Sequence, residues 1–246
     1  MSDAQVASLI HSAETEWVRW GAMRAYGLPG NELCLVISDG SCQDVQDGCG
    51  QEQTTALCPL VDEYWAQVRY AFGHDCTRND VCEWQWPGPD EPVTTSAWSA
   101  AFISAVMARA GISQTEFRRD HRHAVYIAAA RDGQASAYEV VPTPAMAAPG
   151  DLICAGRKSG SGWPSHITPA TIAHVMAGVG MHCDLVVSMD PTHNTLDAIG
   201  GNVKQTVART TVDLDEMGRV SFDLDRGRKW VLVMRARRAS PQLVDR

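Results

Sequence analysis

The sequence predicts an α+β fold, with helices in the first half of the chain and a sheet supplied by its last third. Three stretches carry that prediction. Residues 99–110 bring Phe102, Ile103, Val106 and Met107 back at helical spacing, with alanines in the gaps and Gly111 as a stop, so they form a helix. It is apolar nearly all round and therefore buried. Residues 3–26 set Val6, Ile10, Trp17, Trp20 and Met23 along one face of an amphipathic N-terminal helix. The C-terminal third has strand-like runs at 181–188, 196–199, 203–211 and 229–235. Helices in one part and strands in another are the pattern of an α+β domain.

The remaining elements follow in order. Residues 59–72 read as a second helix, with Pro59 at its start, Leu60, Tyr64, Val68 and Phe72 on one side, and Gly73 after it. Residues 73–95 are a loop whose Trp84, Trp86, Pro87, Pro89 and Pro92 make a rigid aromatic approach to the buried helix, suited to lining a substrate groove or to packing. Residues 114–130 form a more polar helix carrying Phe117, His121, His123, Val125, Tyr126 and Ile127. A spacing of two keeps His121 and His123 off a common helix face, so they do not form a joint metal site. The Pro- and Ala-rich stretch 138–149 is extended, and Pro149-Gly150-Asp151 turns it into a short strand at 152–155. A Gly- and Ser-containing loop, long enough to cover a substrate, spans 156–170.

Composition excludes several function classes. The 246 residues, 45% hydrophobic and 20% charged, are those of an ordinary globular protein of one large domain. A net charge of −8 argues against a nucleic-acid partner, which needs clustered Lys and Arg. The basic run of Arg235, Arg237 and Arg238 reads as a solvated C-terminal tail. No stretch is apolar for long enough to span a membrane, and the first residues, with Asp3, His11, Glu14 and Glu16, do not form a Sec leader. The expectation is a protein made in the cytoplasm without a signal peptide.

Eight cysteines complicate that expectation, because Cys34, Cys42, Cys49, Cys58, Cys76 and Cys82 crowd one stretch. Their gaps of seven, six, eight, seventeen and five residues do not match the closely spaced pairs of zinc sites, and disulfides fit better. Disulfides imply work in an oxidising place such as a periplasm. Cys76 and Cys82 are the expected pair, with Asn79 and Asp80 turning the chain between them. Cys154 and Cys183, in core strands, are expected to be free thiols. The acidic loop at Asp39, Asp44 and Asp47 lacks the spacing of a calcium loop, and no metal or other cofactor is called for.

The chemistry-bearing candidates fall in a definite order. Ser99 stands at the start of the buried helix, where it either caps the helix or, helped by unpaired amides and the helix dipole, acts as a nucleophile. Period-two geometry puts His182 and Asp184 on one face of a strand. Gly200-Gly201 breaks the chain before Asn202 and aims it at that strand. A nucleophile, a histidine that takes its proton and a polar group that fixes the ring are the set that covalent hydrolysis requires.

These segments resemble a known superfamily. Trp98-Ser99-Ala100-Ala101-Phe102-Ile103 is similar to the Trp-Cys-Ala-Ala-Phe motif of the papain-like amidases of CHAP and NlpC type. Pro149-Gly150-Asp151-Leu152-Ile153 resembles their Pro-Gly-Asp turn, His182-Cys183-Asp184-Leu185-Val186-Val187 their histidine strand, and Ile199-Gly200-Gly201-Asn202-Val203 their Gly-Gly-Asn segment. More narrowly, the chain looks like a bacterial domain-of-unknown-function branch in which serine replaces cysteine. The resemblance implies a papain-like antiparallel sheet packed on the nucleophile helix, with Ser99 as nucleophile, His182 as base, and Asn202 or alternatively Asp184 as the orienting residue. It also implies hydrolysis of amide bonds in peptidoglycan stem peptides. Trp98, Trp86, His123 and Tyr126 are the expected substrate-lining groups.

Three domain ranges follow: a helical, cysteine-rich N-terminal region at 1–95, the hydrolase core at 96–238 and a flexible tail at 239–246. As a function, a cell-wall hydrolase without a leader but with disulfides suits an antibacterial effector delivered by a type VI-like secretion machine, with a cognate immunity protein as partner. An inactive peptidoglycan- or glycan-binding module and a serine esterase or acyl hydrolase are the alternatives. Retention of Ser99, His182 and Asn202 in register favours an enzyme.

Overall fold

The computed structural model describes residues 1–28, 32–36, 42–43, 57–68, 97–157, 167–175, 179–222 and 228–239. The fold is α+β. In chain order the elements are α1 (Asp3–Arg19), β1 (Met23–Leu28), β2 (Glu32–Val36), β3 (Cys42–Gln43), α2 (Cys58–Trp65), α3 (Ser99–Arg109), α4 (His123–Arg131), β4 (Tyr138–Pro142) and β5 (Leu152–Gly156). A 3-10 turn (Pro169–His174), β6 (Met181–Asp190), β7 (Thr195–Val203), β8 (Thr206–Asp213) and β9 (Trp230–Ala236) complete them. The described strands form one sheet in the order β3-β2-β1-β8-β7-β6-β5-β9-β4.

The sheet is mixed, where a wholly antiparallel one is expected. The exception is β1, which runs parallel to β8 with Arg24 opposite Arg209. The same segment corrects the N-terminal helix, which stops at Arg19 instead of running on to 26. Gly21 and Ala22 adopt positive φ angles of 87° and 57°, and the chain leaves the helix to enter the sheet between β2 and β8. Helical spacing is blind to this, because the strand partners of 23–28, the adjacent β2 and the distant β8, lie outside the segment.

α3 is buried from Ser99 to Met107, between α1 and α2 on one side and β6 and β7 on the other. Gly201 allows the close approach: a Cβ there would lie 2.5 Å from Phe102 Cβ and 2.8 Å from Trp98 Cζ3. The helices are joined by a buried carboxylate. Glu16 accepts from Arg109 at 2.6 Å, from Arg19 at 2.9 Å and from the Tyr64 hydroxyl. Burial and then Glu16 raise the Tyr64 pKa, which keeps the donated proton on the phenol. Trp20 donates to Tyr64 Oη at 2.8 Å and stacks on Trp98 at 5.0 Å, fixing the residue before Ser99.

Other boundaries move for local reasons. α2 ends at Trp65, and 69–72 lie outside the described residues. α4 begins at His123 rather than 114, because Ser104 Oγ donates to the Asp120 carbonyl at 3.0 Å and accepts its amide at 3.1 Å, which holds the chain extended through Arg122. The Pro-Gly-Asp turn is a structural corner. Asp151 accepts from the Ala148 and Ala236 amides, each at 2.8 Å, which binds the start of β5 to β9. The basic run at 235–238 is not a free tail: Arg235 lies in β9 3.4 Å from Glu139, and the Arg237 amide donates to Ala137.

The cysteine expectation reverses in the core. Cys154 and Cys183 face each other directly across β5 and β6, 4.1 Å apart at Cα, and form a disulfide instead of two free thiols. Burial of small sulfur side chains in strands does not distinguish the two states, whereas register does. Cys58 is also disulfide-bonded, and Cys76 and Cys82 lie outside the described residues. Closing the 29-residue separation contributes about 3.6 kcal/mol on a chain-entropy account. Cys154→Ala/Cys183→Ala is expected to lose that much in urea unfolding, and the non-reduced denatured protein should show no thiol at either position.

Candidate active site

Two helix starts converge at the site. Ser99 is the first residue of α3 and His123 the first of α4, and Ser99 Oγ lies 2.7 Å from His123 Nε2. Ser99 is not a cap: the capping position is Trp98, and no side chain caps α3. The hydroxyl also accepts from Arg157 Nη2 at 3.2 Å. On the far side of that guanidinium, Nη2 lies 3.1 Å from His182 Nδ1. His182 Nε2 is 2.6 Å from Asp184 Oδ1, and Asp184 Oδ2 is paired with Arg228 Nη1. His123 Nδ1 contacts the Tyr126 hydroxyl.

An arginine donates and never accepts, so Arg157 fixes the direction of the chain of bonds. His182 Nδ1 must offer its lone pair to Arg157, which leaves the proton on Nε2, facing Asp184. Ser99 Oγ accepts from Arg157 and is free to donate its own proton to His123 Nε2. His123 then carries its proton on Nδ1, toward Tyr126. The groups are closed off from water: Ser99, His123, His182 and Asp184 are 2%, 4%, 3% and 0% exposed.

Burial and neighbouring charge set the protonation states. Burial, then His182, Arg157 and Arg228, push the His123 pKa well below its ordinary value. His182 falls to about 4, through burial first and then Arg228. Burial works to raise Asp184, but Arg228 and His182 together hold its carboxyl below the usual range. Burial keeps Tyr126 protonated. Two neutral imidazoles therefore flank Ser99 at neutral pH, and a neutral imidazole is the form that can take a proton.

A pH dependence of stability follows. Below about 6.5 the unfolded chain protonates its histidines, whereas folded His182 resists down to about 4. The unfolded state then binds more protons, so stability is full above this window and falls as pH drops through it. Each buried histidine contributes up to about 1.4 kcal/mol per pH unit. Urea unfolding at pH 7.5, 6 and 5 should show the decline, and His182→Asn should make it shallower, leaving the share of His123.

The other expected site residues are spread more widely. Asp184, the alternative to Asn202, holds His182. Gly200 makes room for it, since a Cβ there would lie 1.7 Å from Asp184 Oδ1. Asn202 is half-buried near the end of β7 with a φ of 55°, beside the register shift between β7 and β8. Trp98 is buried against Trp20 and Tyr64 and does not line a groove. His123 and Tyr126 are buried too, but beside Ser99. Trp86 and residues 158–166, expected as part of a covering loop, lie outside the described residues. Sequence reasoning missed Arg157 and Arg228, which stand at loop edges where no periodicity marks them. Among the described residues, no group of three His, Cys, Asp or Glu could hold a metal ion, and no helix is long and apolar enough to cross a membrane.

A family model described as an uncharacterized protein conserved in bacteria (DUF2272) matches residues 57–236, from α2 through β9. That span holds every residue of the hydrogen-bonded chain from Tyr126 to Arg228. Comparison with curated proteins and with solved structures gave no match.

Proposed function

The chain belongs to this bacterial family, and we propose that it is a serine-nucleophile hydrolase of papain-like type, cleaving amide bonds in peptidoglycan stem peptides. The observation that carries the reading is the 2.7 Å contact of Ser99 Oγ with a neutral imidazole at the start of a buried helix. Ser99 Oγ attacks the scissile carbonyl carbon and passes its proton to His123 Nε2. The carbonyl oxygen becomes an oxyanion beside the Arg157 guanidinium and the first-turn amides of α3. Collapse breaks the C–N bond, and His123 returns the proton to the leaving amine. Water then hydrolyses the seryl ester by the same route.

In this reading His123 is the base, because it makes the direct bond to the nucleophile. The lone pair of His182 is spent on Arg157, so His182 and Asp184 position that guanidinium. Arg157 and the α3 dipole favour the alkoxide, which a serine needs more than a thiol does. The papain-like assignment is supported by α3 packing on the strands that carry His182 and the Gly-Gly-Asn segment. Peptidoglycan as substrate rests on the four ordered motifs. The Cys154–Cys183 disulfide supports action in an oxidising compartment, and delivery as an antibacterial effector with a cognate immunity protein goes with that site of action.

The experiment is digestion of purified peptidoglycan fragments, read by mass spectrometry for new amine and carboxyl ends. Ser99-dependent cleavage within the stem peptide is expected. Cleavage of simple esters alone would make the protein an acyl hydrolase, and tight binding without turnover would make it a binding module.

A further inference from the structure

Arg157 brings a positive charge to the nucleophile, and among the described residues no carboxylate touches it, Asp184 acting on it only from a distance. Its Nη2 is held by two neutral acceptors, Ser99 Oγ at 3.2 Å and His182 Nδ1 at 3.1 Å. The nearest acid of the site, Asp184, has one oxygen on His182 and the other on Arg228. Arg228 is thus the structural arginine of the pair, and Arg157 is left with donors to spend. A guanidinium presents a planar fork of five N–H groups, suited to two parallel bonds with a carboxylate.

The geometry points to Arg157 as the receptor for a substrate carboxylate, so that the site takes acyl-amino acids and peptide ends whose free carboxylate is one residue from the scissile amide. This deepens the hydrolase reading and rests on it for the word substrate. The distances carry the inference. An anion seated on a guanidinium that already touches Ser99 Oγ lies within one residue's reach of the carbonyl under attack. Charge-assisted bonds are roughly twice as strong as bonds to neutral acceptors, so a carboxylate is taken by the N–H groups of the fork that Ser99 and His182 do not use. Burial and then Arg228 lower the Arg157 pKa to about 10 against the opposing pull of Asp184, which leaves it charged at neutral pH with no carboxylate in direct contact. His182, held in one tautomer by Asp184, keeps the fork aimed at the nucleophile.

The test uses protein that cannot turn over. Ser99→Ala protein is titrated with N-acetylalanine, in both enantiomers, and with N-acetylalaninamide, followed by ligand-observed NMR. One enantiomer of the acid is expected to bind at least about tenfold more tightly than its amide, from a charge-assisted pair at a desolvated site. Ser99→Ala/Arg157→Met should bring the two within about twofold of each other, and Ser99→Ala/Arg157→Lys should restore part of the gap, as a point charge without the fork. Equal binding of acid and amide, no measurable binding of the acid, or a preference that survives Arg157→Met would overturn the assignment. Because Ser99 is absent throughout, the result is separate from catalysis: failed cleavage with an intact carboxylate preference would sink the hydrolase reading alone.

Discussion

Ser99→Ala is expected to lower turnover on the order of a thousandfold or more while leaving the fold intact. The hydroxyl caps nothing, since α3 has no side-chain cap, and both of its partners have a second contact: His123 with Tyr126 and Arg157 with His182. Its removal therefore costs only about 1 kcal/mol of stability. His123→Ala should lose as much activity as Ser99→Ala, and the double variant should be no worse than either, because nucleophile and base act as one unit. His182→Ala should lose less, about ten- to a hundredfold, because it acts through Arg157. The measurement is kcat for the four variants on one substrate. If His182→Ala falls as far as Ser99→Ala while His123→Ala stays active, the base is His182, as the motif resemblance implies.

The second large effect is on stability. Asp184→Ala is expected to cost about 3–5 kcal/mol in urea unfolding, because it removes a fully buried carboxylate that answers Arg228 and His182. What remains is the like charge of Arg157 and Arg228 beside a buried His182 with no carboxylate. Asp184→Ala/Arg228→Met should regain part of the loss, since it removes the stranded charge together with its partner. Gly200→Ala should act at the same place by steric means, as its Cβ would overlap Asp184 Oδ1. A cost below about 1 kcal/mol for Asp184→Ala would mean that the carboxylate is not the anchor of Arg228 and His182.

The elements that sequence made legible are those fixed by local pattern. The buried helix at Ser99 and the strands β5 to β9 follow from apolar spacing, and the pairing of His182 with Asp184 follows from the period of two along β6. Gly-Gly before Asn202 reads as a tight turn, whereas β7 runs through it to Val203 and the two glycines admit Asp184 and Phe102, an approach that depends on the packed sheet. Pairings distant in sequence were not legible. The parallel pairing of β1 with β8 and the facing of Cys154 and Cys183 depend on register, which no single segment encodes. His123 could be singled out as a polar group on a helix, yet its contact with Ser99 depends on where the Ser104–Asp120 brace starts α4. Arg157 and Arg228 carry no sequence signal at all, because a lone arginine beside a loop looks the same whether it meets water or a nucleophile.

The central claim is that Ser99 is a nucleophile activated by His123, and covalent labelling tests it most directly. A small fluorophosphonate forms a stable ester with an activated serine and leaves ordinary hydroxyls alone. Intact-mass and peptide mapping should find one adduct on Ser99, lost in His123→Ala and slowed but present in His182→Ala. No adduct, an adduct elsewhere, or unchanged labelling of Ser99 in His123→Ala would contradict it.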